Sequence, residues 1–492
     1  MSSEIQAEGS VNAPTTSVAD RTPGSDGNWL NSIRALSQAP AEPPAVEEPI
    51  PVRPVPQVDP YANDMVRPPV PESIAETGLS ETLVEHIILK NIYFRGEVTG
   101  RSLAAGVGLK FSVIEPVLDN LKRLQLIVMK KSLGMGNVSG IFNLSESGRQ
   151  VAREHLQNNQ YAGKAPVPID QYAAVVRHQR LGESWLTKEK LIEALKGLVI
   201  THELIAQLGP AVNAGKSFLI YGQPGNGKTY LAEALFNIQS TPIYIPYAIE
   251  AQGQIIQLYD PVYHTPVDPP KDEHESIFAV AEDMPFDGRF LRVKRPFITT
   301  GGELTLSMLD LTMNPASRVY DAPFQLKANN GIYLIDDFGR QRVTPAEVLN
   351  RWIVPMERKI DFLSFETGGK MTVPFECFLV FSTNLNPNQL GDEAFLRRIQ
   401  YKMLLHSPHE VEFREIFFRF CRDKQLPCPP ETYERFVKEH YAKRRMRRCH
   451  PRDVLSKAID LIKFERIPYE LNDDILHRAF EANFVDIDHR GD

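Results

Sequence analysis

Residues 218–229 read Phe218-Leu-Ile-Tyr-Gly222-Gln-Pro-Gly-Asn-Gly227-Lys228-Thr229, and an alanine- and leucine-rich run follows to residue 236. The apolar residues before the first glycine predict a buried strand, and the run after the loop predicts a helix. Gly222 and Gly227, followed by Lys228 and Thr229, have the spacing of a P-loop. Because backbone N–H groups and a helix N-terminus converge on an anion in such a loop, we predict that it binds a nucleoside triphosphate.

Each position of this loop has an expected part in that binding. Lys228 is predicted to reach the terminal phosphates, and Thr229 is predicted to offer its hydroxyl to Mg²⁺. The glycines remove side chains that would block the approach of the phosphates. The predicted binding set is Gly222, Gln223, Pro224, Gly225, Asn226, Gly227, Lys228, Thr229 and Tyr230.

The composition is typical of a globular protein with more than one folded unit. The chain has 492 residues, of which 42% are hydrophobic and 24% are charged. Its net charge of −7 gives no overall attraction to nucleic acid. No apolar run approaches the roughly 20 residues that span a bilayer, and the N-terminus lacks a signal-peptide pattern. We therefore expect a cytoplasmic protein without membrane insertion.

The four cysteines do not have the spacing of a disulfide framework or of a paired metal site. A zinc site built from Cys421, Cys428, Cys449 and His450 is conceivable. Reduced thiols packed in a helical domain are the favoured interpretation.

Composition shifts and periodicity predict five regions along the chain. Residues 1–75 are proline-rich and are expected to be disordered. Residues 76–160 show three helical patterns, then two strand-like runs and a closing helix, which is the order of a winged helix. The remaining regions are a linker with helices (161–205), an α/β nucleotide-binding core (206–405) and a helical lid (406–492).

The predicted winged-helix unit favours a protein partner over DNA. The face of its second long helix that would enter a major groove carries Glu115 and Asp119, whose carboxylates would oppose phosphate binding. Lys122 and Arg123 lie only at the far end of that helix. Nucleic acid therefore remains possible as a partner but is not favoured.

Two acidic residues follow a second apolar strand, at Asp336 and Asp337. Asp336 is predicted to hold Mg²⁺, and Asp337 is predicted to polarise the attacking water. Asn384 ends a third apolar strand and is predicted to position that water.

Three arginines complete the predicted catalytic set. Arg397 and Arg398 follow the third strand, and either can cross an interface to stabilise charge on the transferring phosphoryl group. Arg452 opens a helix in the C-terminal segment and can reach back to the nucleotide. A basic run at 443–448 contacts either nucleic acid or, as favoured here, the surroundings of the nucleotide pocket.

The order 222–229, Asp336-Asp337, Asn384, Arg397-Arg398 and Arg452 resembles the Walker A, Walker B, sensor 1, arginine-finger and sensor 2 elements of AAA+ ATPases. The likeness is greatest to MoxR-like and related bacterial members, which also have a hairpin, here at 360–375, before the sensor 1 strand. This resemblance implies an ATP hydrolase with ATP and Mg²⁺, a parallel sheet sandwiched by helices, and a homo-oligomeric ring, commonly a hexamer.

The sequence departs from that family in two places. The second acidic residue of the Walker B motif is Asp337, where the family usually has glutamate. Because its side chain is one methylene shorter, the attacking water is placed less well, and slow hydrolysis of ATP is compatible with this residue. Residues from about 259 to 325, which include strand-like runs at 290–293 and 296–299, are interpreted as an insertion on the ring face, either a substrate-engaging loop or a surface decoration.

Three functions are compatible with these residues. The leading one is an ATPase that remodels a protein partner, an unidentified substrate or adaptor. The alternatives are a DNA-associated ATPase that grips duplex through the winged-helix unit, and a nucleotide-dependent assembly switch that does not hydrolyse ATP.

Overall fold

The N-terminal unit packs helices against a small antiparallel sheet. A computed structural model describes residues 67–132, 136–181, 186–238, 241–268, 285–391 and 396–484. Most of the predicted disordered tail therefore lies outside the described residues. The elements of the N-terminal unit are α1 (Ile74–Thr77), α2 (Glu81–Arg95), β1 (Val98–Thr99), α3 (Gly100–Val107), α4 (Phe111–Arg123), β2 (Ile127–Ser132), β3 (Gly140–Leu144) and α5 (Glu146–Asn158).

Local signals set the limits of these helices. The Ser80 and Thr99 side chains cap α2 and α3 by accepting backbone N–H groups, and α3 ends at Gly108 in the left-handed region. The predicted helices and both predicted strands are present. The two-residue strand β1, which pairs with β3 to give the sheet order β1-β3-β2, was not predicted because it is too short to show a period.

The N-terminal unit continues into the rest of the fold through buried contacts. Strand β4 (Val167–Pro168) joins a second sheet, and helix α6 (Ile169–His178) follows it. The guanidinium of Arg289, only 2% exposed, pairs with Asp287 at 2.8 Å and donates to the Thr77 carbonyl at 2.9 Å and to Gln171 Oε1 at 3.1 Å. A Cβ at Gly108 would stand 2.5 Å from the Gly288 carbonyl oxygen, so the two segments touch backbone to backbone.

The centre of the chain is an α/β unit. Its elements are α7 (Lys188–Ala194), α8 (His202–Asn213), β5 (Phe218–Tyr221), α9 (Lys228–Phe236), β6 (Ile243–Pro246), β7 (Ala248–Ala251), β8 (Gln254–Gln257), β9 (Phe290–Val293), β10 (Phe297–Thr300), β11 (Thr312–Asn314), β12 (Val319–Asp321), α10 (Phe324–Lys327), β13 (Ile332–Ile335), α11 (Pro345–Arg358), β14 (Ile360–Ser364), β15 (Lys370–Pro374), β16 (Phe378–Thr383) and β17 (Tyr401–Leu404).

Five of these strands form one parallel sheet in the order β10-β13-β16-β5-β17. Their side chains are mostly buried, as expected for strands covered on both faces. Strand β16 lies between β5 and β13, so the ends of the glycine-loop strand and of the acidic strand flank the strand that leads to Asn384. The predicted α/β class and parallel sheet are therefore confirmed.

The interpretation of residues 259–325 as one insertion was wrong at its second strand-like run. The run predicted at 296–299 is β10, an edge strand of the central sheet that pairs in register with β13. It was misread because residues 243–293 separate it from α9. Those residues supply β7 and β8 of a second sheet, ordered β11-β12-β8-β7-β4, and both strands of the antiparallel pair β6–β9. The predicted hairpin at 360–375 is confirmed as β14–β15.

The C-terminal helical unit contains α12 (Glu410–Asp423), α13 (Pro430–His440), α14 (His450–Glu465) and α15 (Asp473–Asn483). They lie in the region for which the sequence predicts a helical unit. They enclose an aromatic core that includes Phe413, Phe417, Tyr433 and Phe480. In the part of the chain that the structure describes, every helix is too short or too polar to cross a membrane.

Candidate functional site

The glycine loop, residues 222–229, has a backbone that only glycine adopts easily. Gly222, Gly225 and Gly227 have φ values of 143°, 80° and 84°. A Cβ at Gly222 would stand 2.5 Å from the Leu405 carbonyl oxygen, and one at Gly225 would stand 2.6 Å from Cys449 Sγ. At Gly222 and Gly225 the loop thus passes so close to the end of β17 and the start of α14 that a side chain has no space.

Lys228 and Thr229 begin α9 directly after the loop. The Lys228 ammonium donates to Asn384 Oδ1 at 2.6 Å and to the carbonyls of Gly222 and Gln223 at 3.1 and 3.2 Å. The Thr229 hydroxyl donates to Asp336 Oδ2 at 2.7 Å. These contacts connect the loop to the ends of β16 and β13, as the sequence predicts from parallel strands that end at one sheet edge.

The two acidic residues after β13 have different environments. Asp336 is half-buried, and its second oxygen accepts the Asp337 backbone N–H at 3.0 Å. Asp337 is exposed, and its Oδ1 accepts from Asn384 Nδ2 at 2.7 Å. Asp337 also has a φ of 50°, a left-handed conformation that costs a non-glycine residue about 1 kcal/mol. The backbone therefore turns sharply to point this carboxylate at Asn384.

At the sheet edge, the charged side chains next to the glycine loop are Lys228, Asp336 and Asp337. Desolvation lowers the pKa of Lys228, while Asp336 and Asp337 oppose that shift. Hydroxyl and carboxylate oxygens such as those of Thr229 and Asp336 are the ligands that Mg²⁺ prefers. The residues present therefore suit a magnesium ion bound beside an anionic group.

The C-terminal helical unit supplies the opposite wall of the site. Arg447 donates to the Pro224 carbonyl at 2.7 Å, and the Cys449 N–H donates to the Gly225 carbonyl at 2.8 Å. Arg448 donates to the Val199 carbonyl and pairs with Glu412 at 3.0 Å. The second half of the basic run at 443–448 therefore faces the glycine loop.

A cavity of about 600 Å³ separates the two walls. Arg452, whose side chain is 68% exposed, lies at its edge and pairs with Asp453 at 3.1 Å. The cavity brings together most of the predicted site residues with several that were not predicted. The predicted ones are Pro224, Gly225, Asn226, Gly227, Lys228, Thr229, Tyr230, Asp336, Asp337, Asn384 and Arg452, and the others include Arg419, Asp423, Arg448 and Cys449.

Arg397 and Arg398 do not line this cavity. Arg397 is exposed, and Arg398 pairs through Nε with Glu357 at the end of α11 at 3.3 Å. Neither side chain is positioned by this subunit's own glycine loop, so the predicted role in a neighbouring subunit stays a prediction.

The cavity-lining residues that were not predicted differ in how clearly the sequence pointed to them. Arg448 belongs to the basic run at 443–448, for which a position near the pocket was favoured. Arg419 lies on α12 and donates to the Lys196 carbonyl at 2.9 Å. Its position on an amphipathic helix is like that of an ordinary surface residue, so no sequence signal marked it.

The cysteines are free thiols, as predicted, but the interpretation that they pack in a helical domain was wrong for Cys377, which is buried beside β16 in the α/β unit. Burial raises the pKa of Cys421 to about 12 and that of Cys428 to about 11, so both are protonated at neutral pH. Among the described residues, no group of three metal-ligating side chains includes a cysteine.

Comparisons with known proteins match a part of this architecture. A sequence family described as a domain of unknown function (DUF8689) matches residues 409–482, which is the C-terminal helical unit. No curated protein matches the chain.

Solved structures give distant likenesses. NtrX from Brucella abortus is 13% identical, over 61% of this chain and 58% of that chain, with a TM-score of 0.37. The same protein in complex with ADP is 12% identical, over 62% and 59%, with a TM-score of 0.37. A point mutant of RuvB from Thermotoga maritima is 14% identical, over 60% and 70%, with a TM-score of 0.32. This chain spans under two thirds of the NtrX length, and similarity at this level carries no argument about function.

Proposed function

We propose that this chain is an AAA+ type ATPase that hydrolyses ATP with Mg²⁺ and uses the energy to remodel a protein partner. One observation carries the proposal. Thr229 bonds to Asp336 at 2.7 Å, and Lys228, Asn384 and Asp337 form a continuous chain of hydrogen bonds at 2.6 and 2.7 Å. A cation, a hydroxyl, two carboxylates and an amide thus meet beside the glycine loop.

Each group has a role that its position supports. The loop amides and Lys228 would hold the phosphates, the ammonium exchanging its carbonyl partners for phosphate oxygens. Thr229 and Asp336 would hold Mg²⁺, which neutralises charge that develops on the phosphates. Asp337 would accept a proton from the attacking water, and Asn384 would hold Asp337 and that water in place.

Two arginine contributions complete the proposal. Arg452 would reach the terminal phosphate from the far wall of the cavity. Arg397, being exposed, is the better candidate to act in a neighbouring subunit, since Arg398 is paired with Glu357. This assignment implies a ring of identical subunits, for which a hexamer is the expectation.

The charges of the N-terminal unit favour a protein partner over duplex DNA. Lys122 pairs with Asp119 at 3.0 Å, Lys130 pairs with Glu97, and Lys110 pairs with Glu72. These ammonium groups already have carboxylate partners, so contact with phosphates would require breaking the pairs. In the basic run, Arg447 and Arg448 already donate to the Pro224 and Val199 carbonyls.

The test is nucleotide binding and turnover in matched lysine variants. Calorimetry with ATP and Mg²⁺ is expected to show binding by the wild type and by Lys216→Ala, whose lysine is exposed just before β5. Lys228→Ala is expected to bind about 100-fold more weakly or not at all, since a charged contact to phosphate is lost. Equal binding by both variants would refute the proposal.

Turnover in the same samples separates the alternatives. If sites are shared across an interface, the rate per subunit rises with protein concentration. Stimulation by DNA that is lost at high salt would favour the DNA-associated ATPase. Binding without turnover at any concentration would favour the assembly switch.

A further inference from the structure

Four side chains on the C-terminal helical unit form a cluster that the glycine-loop site does not use. Glu439 and His440 lie at the end of α13, and His477 and Glu481 lie on α15. His477 Nδ1 is 3.3 Å from His440 Nε2 and 3.4 Å from Glu439 Oε1. His440 Nε2 is 3.9 Å from the same carboxylate oxygen. Two imidazole nitrogens and a carboxylate oxygen therefore surround one point.

These separations are close to those of ligands around one small metal ion. Zinc–nitrogen and zinc–oxygen bonds of about 2.0–2.2 Å in a tetrahedron place neighbouring ligand atoms about 3.3–3.5 Å apart. The two shorter distances at His477 fall in that range. The third needs only a small rotation of Glu439, which is an exposed side chain free to turn about its own bonds.

Neighbouring groups fix the orientation of both rings. Glu481 Oε1 lies 3.3 Å from His477 Nε2, the nitrogen that faces away from the cluster. Metal-ligating histidines usually donate this second N–H to a carboxylate or carbonyl. The His440 ring stacks on Phe480, with ring centroids 4.2 Å apart. Each imidazole is therefore held with one nitrogen directed at the shared point.

Burial differs between the two histidines. The His440 side chain is 9% exposed and the His477 side chain is 44% exposed, so the cluster opens to solvent on the α15 side. Burial lowers the pKa of His440, helped by His477 and Arg444 and opposed by Glu439 and Glu481.

We propose that Glu439, His440 and His477 bind one divalent transition-metal ion of the zinc type, with Glu481 as the residue that positions His477. The open side leaves the fourth tetrahedral position to water. Such an ion would join α13 to α15 and so brace the helical unit that carries Arg452. The proposal is independent of nucleotide binding, because none of these side chains lines the cavity beside the glycine loop.

Zinc titration of chelator-treated protein tests the site. In excess Mg²⁺, calorimetry is expected to show one Zn²⁺ per chain for the wild type and for the control His178→Ala, which removes an exposed histidine on α6. His477→Ala is expected to weaken binding about 100-fold, and Glu481→Gln about 10-fold, as loss of a positioning carboxylate does. Absence of Zn²⁺ binding by the wild type, or unchanged binding by His477→Ala, overturns the proposal.

Two further measurements distinguish loss of the site from misfolding of the variant and from zinc binding by cysteines. His477 is nearly half exposed, so its alanine variant should keep the wild-type far-ultraviolet circular dichroism, and Zn²⁺ should raise the Tm of the wild type but not of this variant. Co²⁺ in place of Zn²⁺ should give visible d–d bands without the ultraviolet charge-transfer bands of thiolate ligation. Thiolate bands would assign the ion to Cys421 and Cys428 and would overturn the proposal.

Discussion

The two walls of the cavity are built in different ways. On the sheet side, Lys228, Thr229, Asp336, Asp337 and Asn384 follow or adjoin buried strands and bond to one another at 2.6–2.7 Å. On the helical side, Arg447 and Arg448 reach backbone carbonyls of the other unit with long side chains, and Arg452 is largely exposed. A rigid scaffold therefore fixes the proposed chemical groups, whereas the helical unit can adjust its contacts without disturbing them.

The largest expected effect is on the sheet side, at Asp337. Asp337→Asn keeps a side chain of the same shape beside Asn384 but cannot accept a proton from water. Turnover of ATP is expected to fall by about 100-fold or more, the usual contribution of a general base, with ATP affinity changed little. Steady-state rates and calorimetry on the same samples measure both quantities.

Asp337→Glu is the matched control for this position. It keeps the carboxylate and restores the residue that AAA+ proteins usually have, so it is expected to retain turnover within about tenfold of the wild type. Wild-type turnover by Asp337→Asn would mean that Asp337 is not the base and would erase the contrast between the two walls.

A smaller effect is expected on the helical side, at Arg452. Arg452→Ala removes a charged contact made by an exposed side chain, so kcat/KM is expected to fall by about 10-fold. Lys443→Ala, in the nearby basic run at 443–448 but exposed and absent from the cavity lining, serves as the control and should match the wild type. An Arg452 effect as large as that of Asp337 would show that both walls take part equally in the chemistry.

The smallest effect concerns the stability of the helical unit at low pH. His450 begins α14, and its ring is buried against Tyr441 and Phe484. Burial lowers the pKa of His450 to about 4, with Arg447 and Arg444 adding to the shift and Asp453 opposing it. The folded state thus prefers the neutral ring, so its contribution to stability is present above about pH 6.5 and is lost as the pH falls towards 4.

His450→Phe should remove this dependence while keeping a ring in the core. Between about pH 7 and about pH 5, the Tm of this variant is expected to fall by about 2–4 °C less than the Tm of the wild type. Thermal unfolding at both pH values measures the difference, and the exposed-histidine variant His178→Asn should follow the wild type. Equal slopes in all three proteins would exclude His450 as the titrating group.

The sequence predicted the sheet side of the site better than the helical side for a physical reason. The glycine loop, Asp336 and Asn384 each follow a short apolar strand, and parallel strands that share a sheet end at the same edge. Arg419 and Arg448 reach the cavity only because the helical unit packs over it, and that packing joins residues more than 220 positions apart along the chain. No local pattern encodes such a contact.

Short elements were also beyond prediction. Strand β10 belongs to the central sheet. Because it has only four residues and follows a long segment outside that sheet, its sequence was interpreted as part of an insertion. Strand β1 has two residues, fewer than any alternation can reveal. In both places pairing with a neighbouring strand, rather than intrinsic preference, creates the element.

The buried Arg289–Asp287 pair has a consequence for how force would pass through this protein. The Arg289 guanidinium joins the segment before α2 to the residues just before β9 and, through Gln171, to α6. A force applied to the N-terminal helices would therefore be transmitted directly to the α/β unit. Removing these contacts, for example with Arg289→Met, would loosen the connection between the N-terminal helices and the α/β unit while leaving the glycine loop unchanged.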